Sequence, residues 1–329
     1  MKKLEWRNET IITGFILHGF GDLKEIHILL FILFLIIYIM TMAGNLLIIA
    51  LIVTDHHLYT PMYFFLGNLS CLETCYSSTI LPRILASLLY ENYTVSVNGC
   101  ILQLWAFVFL AVTECYLLAA MSYDRYLAIC RPLHYSTLMN FKICVQLVLG
   151  SWIGSFVIDI ILLTFISKLS FCGHNLIEHF FCDFIPMMNL ACSDTSQVKL
   201  VSAILTSVST LPPFFLTIVS YTYIIAAILG IPSIVGRQKA FSTCSSHLIV
   251  VTIFYGSLTI VYLMQDSNEL KELNKVFSVF YTILTPLINP LIYSLRNKEV
   301  RRALRMCLSK KTSFFYVLFY FHMFYRRKN

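Results

Sequence analysis

The residues of this chain that could do chemistry stand mostly inside long apolar runs or at their ends. Glu73, Glu114 and Asp159 lie within such runs, Asp124 and Arg125 are adjacent at the end of another, and Asn45 and Asn289 add two amides. A charged group costs ~2.5–3.5 kcal/mol at a bilayer centre and less at its edge, so each of these requires a partner. Asp124 and Arg125 can neutralise one another. Two carboxyls brought together need a cation or a shared proton, whereas a hydrogen-bonded polar core would need no ion. Of the 11 cysteines, Cys100, Cys172, Cys182 and Cys192 lie between or at the ends of runs, where they can form disulfides in any of three pairings. The stretch His179-Phe180-Phe181-Cys182-Asp183 has metal-binding residue types, but a disulfide at Cys182 would consume the thiolate that a metal requires. The remaining histidines are scattered, and His56-His57 has no ligand spacing, so neither a metal centre nor an enzyme is expected.

The elements that must position these groups follow from composition. Apolar residues make up 58 % of the 329 and charged residues 12 %, far from the roughly 45–50 % and 25 % of soluble domains. The apolar residues concentrate in seven runs, His27–Val53, Tyr63–Leu89, Leu102–Met121, Ile143–Ile166, Val198–Leu229, Cys244–Met264 and Val276–Leu295. Each reaches the ~20 residues that a helix needs to cross a ~30 Å hydrocarbon core, and their continuity excludes the alternating pattern of barrel strands. The expectation is an all-α membrane protein, a seven-transmembrane-helix bundle over 27–295. It is flanked by an amino terminus (1–26), a short amphipathic helix (296–308) and a tail (309–329). Residues 1–22 do not look like a cleaved signal, so the first run directs insertion. No fixed-period repeat supports a duplicated transporter.

Charge sets the orientation. If the amino terminus is extracellular, the cytoplasmic side holds 15 of the 24 basic residues against three acids, Asp55, Asp124 and Glu299. The sequons at Asn8 and Asn92 then fall outside and are expected to be glycosylated, whereas that at Asn68 is inside a run. The tail carries an aromatic block, Phe314 to Tyr325, between basic clusters. At about a dozen residues it is too short to span, and it fits an in-plane interfacial anchor or a neutral extension.

Several motifs carry a family resemblance. Gly44-Asn45, Met121-Ser122-Tyr123-Asp124-Arg125-Tyr126, Trp152 and Asn289-Pro290-Leu291-Ile292-Tyr293 resemble the marks of rhodopsin-like (class A) G-protein-coupled receptors. More narrowly, Pro61 to Leu66, Met121 to Cys130, Lys239 to Leu248 and Pro286 to Pro290 are similar to the odorant (olfactory) receptor pattern, in order, over roughly residues 10–308. Two stretches depart from it: Tyr59 stands where the family usually has His, and Gly230 to Gly236 lacks the usual charged residues.

The resemblance implies a cell-membrane receptor that binds a small volatile odorant and activates a heterotrimeric G protein of the stimulatory (olfactory) type, raising cAMP. It implies no cofactor and no nucleic-acid partner. It implies the pairs Cys100 with Cys182 and Cys172 with Cys192. Asn45, Glu73, Glu114 and Asn289 match a polar core that can hold Na+ or water. Asp124, Arg125, Tyr126, Tyr221, Asn289, Pro290 and Tyr293 match the switch and coupling residues. Helical spacing places Leu104, Phe107, Val108, Ala111, Val112 and Cys115 on about the stripe of Arg125. Leu205, Thr206, Ser209, Tyr255, Leu258, Thr259, Tyr262, Val279 and Thr282 match family pocket positions. These walls are uncharged, so a neutral guest is expected. The competing class is an ion channel or transporter that uses Glu73 and Glu114 as its path.

Overall fold

The structure, a computed structural model, describes residues 12–19, 25–90, 94–263, 271–296 and 299–305. Among them are seven long helical segments: α1 His27–Thr54, α2 Pro61–Tyr90, α3 Val97–Cys130, α4 Phe141–Ile166, α5 Ser196–Leu229, α6 Ile234–Leu263 and α7. The last is built from Lys271–Val279, a π turn Phe280–Leu284 and Thr285–Arg296. Side-chain oxygens start two of them, Ser96 accepting from the Gly99 N–H at α3 and Asn140 from the Ile143 N–H at α4, which satisfies donors that a helix start leaves open.

Burial departs from a soluble bundle in what the outside carries, while the core stays largely apolar. On α1 the buried positions include Thr41 and Asn45, while Ile28, Leu29, Ile32, Leu33 and Ile36 are exposed. Lipid is as apolar as these side chains, so polar groups turn inward while apolar ones serve on either side, Phe34, Ile48 and Leu51 of α1 being buried too. Four helices and Lys275–Ile292 of α7 are long and apolar enough to cross a bilayer, and α6, bent by 46° between Ile234–Ser242 and Cys244–Ile260, makes a sixth. The seventh, α2, is less apolar because Ser70, Glu73 and Ser77 are among its buried residues.

Three runs clearly underestimate their helices. The third continues from Val97 to Cys130, the sixth starts at Ile234 instead of Cys244, and the seventh at Lys271 instead of Val276. Polar residues end an apolar run without ending backbone hydrogen bonding, which continues in the interface.

The helix α3 packs against α2, α4, α5 and α6, and α7 against α1 and α2. Gly44 makes one such approach feasible: a Cβ there would meet the Pro290 ring at 3.0 Å. One face of the bundle is capped by a three-stranded sheet in the order β2-β1-β3, with β1 Gly14–Leu17, β2 Thr94–Ser96 and β3 Leu176–Ile177. The strand β1 runs antiparallel to β2, with Phe15 opposite Val95, and parallel to β3, with Leu17 opposite Ile177. Phe15 is fully buried and meets Phe171 edge-on at 5.2 Å. At the far face, residues 299–305 are helical, with Val300 and Ala303 turned into the core and Arg301, Arg302 and Arg305 outward. Tyr63 Oη donates to Glu299 Oε2 at 2.7 Å, tying this segment to α2.

Candidate functional site

Beneath the cap, the loop 171–183 folds into the bundle. Its disulfide joins Cys182 to Cys100 at the start of α3, and a second joins Cys172 to Cys192, with Cα separations of 5.4 and 5.9 Å. The first holds Phe181 against Phe107 of α3, ring centroids 5.0 Å apart. Phe107 also meets Tyr76 of α2 at 5.5 Å and Tyr281 of α7 at 6.0 Å, so three elements converge on one ring of α3. His179 Nε2 lies 3.3 Å from Ser278 Oγ of α7, and burial first, then the Lys275 charge, lowers its pKa from 6.5 to about 3. The neighbouring Asp183 carboxyl is pushed up to about 6 by burial, opposed by the Phe184 N–H that it accepts.

Leu104, Phe107, Val112, Cys115, Ser209, Tyr255 and Thr282 are buried, and Val108, Ala111, Leu205, Thr206, Leu258 and Val279 are half-buried. The hydroxyls among them are occupied within their own or neighbouring helices: Ser209 donates to Thr206 O, Thr282 to Ser278 O and Tyr255 to Cys115 O. Thr259 differs. It is exposed on the stripe of Thr252 and Gly256, and its hydroxyl bonds back to Tyr255 O at 2.7 Å, so the expected inward placement does not hold for it. One residue after the half-buried Leu258, it has turned just past the interior face.

Toward the middle of the bundle, Asn289 Nδ2 donates to Glu73 Oε1, while Asn45 Nδ2 reaches Thr41 O at 3.0 Å and Pro286 O at 3.2 Å. Glu114 is close enough to Glu73 for the two carboxyls to interact electrostatically. Glu73 Oε2, Glu114 Oε1, Asn45 Oδ1 and Asn289 Oδ1 are buried without a partner among the described residues. Asp159 is also buried, with Oδ2 unpartnered, on α4.

At the far end of α3, Arg125 holds Asp124 through Nη2 at 2.7 Å and Nε at 3.1 Å. Tyr135, in the one-turn helix Tyr135–Leu138, donates its hydroxyl to Asp124 Oδ1 at 2.8 Å. Burial, then the Asp124 charge, holds this phenol above its ordinary range, so it remains a donor. Tyr221 Oη lies 2.7 Å from His247 Nδ1, and Tyr126 stacks on Tyr123 with ring centroids 6.2 Å apart and meets Tyr223 at a tilt at 5.8 Å. Tyr135, His247, Phe181 and Tyr281 were not singled out from sequence. The signal for His247 was its place in the Lys239–Leu248 motif, and a loop tyrosine such as Tyr135 carries no such mark.

Pro290 meets Gly44, as above. The side chains of Tyr262 and Tyr293, the sequons at Asn8 and Asn92, and the tail 309–329 lie outside the described residues. Among the described residues no cluster of three His, Cys, Asp or Glu is arranged to hold a metal.

The family model described as "Olfactory receptor" matches residues 34–311. Human Olfactory receptor 6B1 is 49 % identical over 302 residues, covering 92 % of this chain and 96 % of its own length. Mouse Olfactory receptor 5P76 is 48 % identical over 313 residues, 95 % of this chain and 99 % of its own. Among solved structures, squid rhodopsin superposes with a TM-score of 0.69 at 18 % identity, covering 86 % of this chain and 80 % of that one, which shows the fold. Matched over most of its length and nearly half identical to such relatives, the chain belongs to the olfactory receptor family, multi-pass membrane receptors of the G-protein-coupled class and not enzymes.

Proposed function

We propose that the chain binds small, mostly neutral volatile odorants between α3, α5, α6 and α7 and activates a stimulatory, olfactory-type G protein that raises cAMP. In this reading the amino terminus and the sheet are extracellular, and the far face is cytoplasmic. The observation that carries it is that α3 bears both ends of the device: Phe107 under the lid residue Phe181, and Arg125 paired with Asp124. Eighteen residues separate them, about 27 Å at ~1.5 Å per residue. A guest that repacks the aromatic cluster can bias the pair without touching it. The buried and half-buried residues named above, with Tyr262, form the walls; Asp124, Arg125, Tyr126, Tyr221, Asn289, Pro290 and Tyr293 relay and couple.

The unpartnered acceptors of Asn45, Glu73, Glu114 and Asn289 support a Na+ or a shared proton as a resting-state constraint. The same carboxyls would suit an ion path, but Arg125 and Asp124 at the far end of α3 favour signalling. Glycosylation at Asn8 and Asn92 and interfacial anchoring of residues 309–329 belong to the same reading.

Arg125→Ala should leave odorant binding measurable and remove odorant-evoked cAMP, because the guanidinium acts away from the walls. A well-expressed Arg125→Ala receptor giving full odorant-evoked cAMP contradicts the proposal. An odorant-evoked current in the absence of cAMP would favour the channel reading.

A further inference from the structure

A cavity of about 590 Å³ opens at the far face, between the α1–α2 and α3–α4 connections. This is within the ~300–1,000 Å³ of small-molecule sites, and it is remote from the proposed odorant walls. Ile52, Leu58 and Phe64 form its apolar side together with Phe141, whose ring lies 5.6 Å from that of Phe64. At its rim stand Tyr59, Thr60 and Ser136, and no lining residue is charged. Tyr59, the departure from the family pattern, donates its hydroxyl to Val53 O at 3.1 Å and so fixes the rim to the last turn of α1. Apolar walls below a hydroxyl rim select a guest with one apolar body and one polar end, and the missing charge disfavours an ionised one. Tyr135 also lines this cavity, and it is the same residue that donates to Asp124.

We propose that this cavity binds an uncharged amphiphile, an apolar body bearing one hydroxyl or carbonyl, drawn from the adjoining leaflet, and that its occupancy acts on the Asp124–Arg125 pair through Tyr135. The guest is either a bilayer lipid or a small molecule dissolved in the leaflet. Binding stands apart from the signalling reading; only the coupling half rests on it.

The test uses the full-length receptor in nanodiscs of one saturated phosphatidylcholine, with two photoreactive probes, a diazirine-bearing dodecanol and an uncharged diacylglycerol with a diazirine in one chain. Mass mapping should show adducts on residues 58–64 and 135–144 enriched over those on the lipid-facing stretch 28–36 of α1. Excess unlabelled dodecanol or Ser136→Trp should remove the enrichment. Enrichment by the first probe assigns a small molecule, by the second a lipid. Absence of enrichment with both probes, or enrichment indifferent to competitor and to Ser136→Trp, overturns the site. Should Ser136→Trp misfold, unlabelled dodecanol in the wild-type protein should slow alkylation of Cys144, a buried thiol of the cavity wall, by N-ethylmaleimide; an unchanged rate overturns the proposal equally. For coupling, dodecanol should change odorant-free cAMP by about five-fold, the low end of ordinary coupling, in wild type and not in Tyr135→Phe. Labelling without that change overturns the coupling half alone. A silent Arg125→Ala control ties the cAMP to the receptor.

Discussion

A single hydroxyl separates Tyr135 from a residue that only fills space. Its bond to the Asp124 carboxylate is worth on the order of 1.5–3 kcal/mol, as bonds to charged acceptors are. If it belongs to the resting arrangement, Tyr135→Phe raises odorant-free cAMP about ten-fold at matched surface expression, since ~1.4 kcal/mol is a factor of ten. Unchanged basal cAMP would mean that the bond persists on activation. His179 makes a prediction of a different kind. Its folded pKa, about 3, lies below the ordinary 6.5, so the unfolded chain takes up the proton first. Stability is therefore full above about pH 6.5 and falls as pH drops from there toward 3. At pH 5 the loss is ~2 kcal/mol from this group. Replacing it, as in His179→Gln, should flatten the acid limb of a thermal-unfolding series between pH 7 and 5; an unaltered slope would place the acid sensitivity elsewhere.

Helices show where packing rules out substitutions. The Pro290 ring sits 3.0 Å from where a Cβ on Gly44 would stand, so Gly44→Val should separate α1 from α7 and cost 1–3 kcal/mol, as overpacking typically does. Reduced surface delivery and a lowered melting temperature would show it, and wild-type values for both would mean that α7 can shift. How much of this was legible depended on what marks each element. Seven apolar runs gave the seven helices, because long stretches without charge have few other uses. The start of α6 at Ile234 was not legible, since residues before Cys244 are polar and helical in a way that a hydropathy run does not record. Nor was the sheet: β1, β2 and β3 are four, three and two residues long, too short for a periodic pattern. The charged pair Asp124 and Arg125 was readable as neighbours. The aromatic convergence on Phe107 was not, because Tyr76, Phe181 and Tyr281 come from three distant stretches of chain.

Across the whole molecule, the proposed odorant site is a set of weak contacts shared among helices. A ten-atom odorant gaining roughly 0.5 kcal/mol per atom would bind at ~0.1 mM, so small changes of wall volume reorder agonists. The half-buried Ala111 is the position to fill: Ala111→Leu should eliminate the larger agonists of a broad panel while sparing the smallest, read as cAMP dose–response curves. Equal losses across all sizes would move the site away from α3. The cap over this site also sets an order of assembly. Gly14–Leu17 leaves the ribosome before any other described element, yet its partner Leu176–Ile177 emerges only after four helices have been made. Until then the strand has half of its ladder at most, and its central residue, Phe15, has no Phe171 to cover it. The first of the described elements to be synthesised is thus among the last to be secured. A nascent chain arrested before residue 170 should keep its amino-terminal strand open to protease, and one arrested well past residue 180 should protect it.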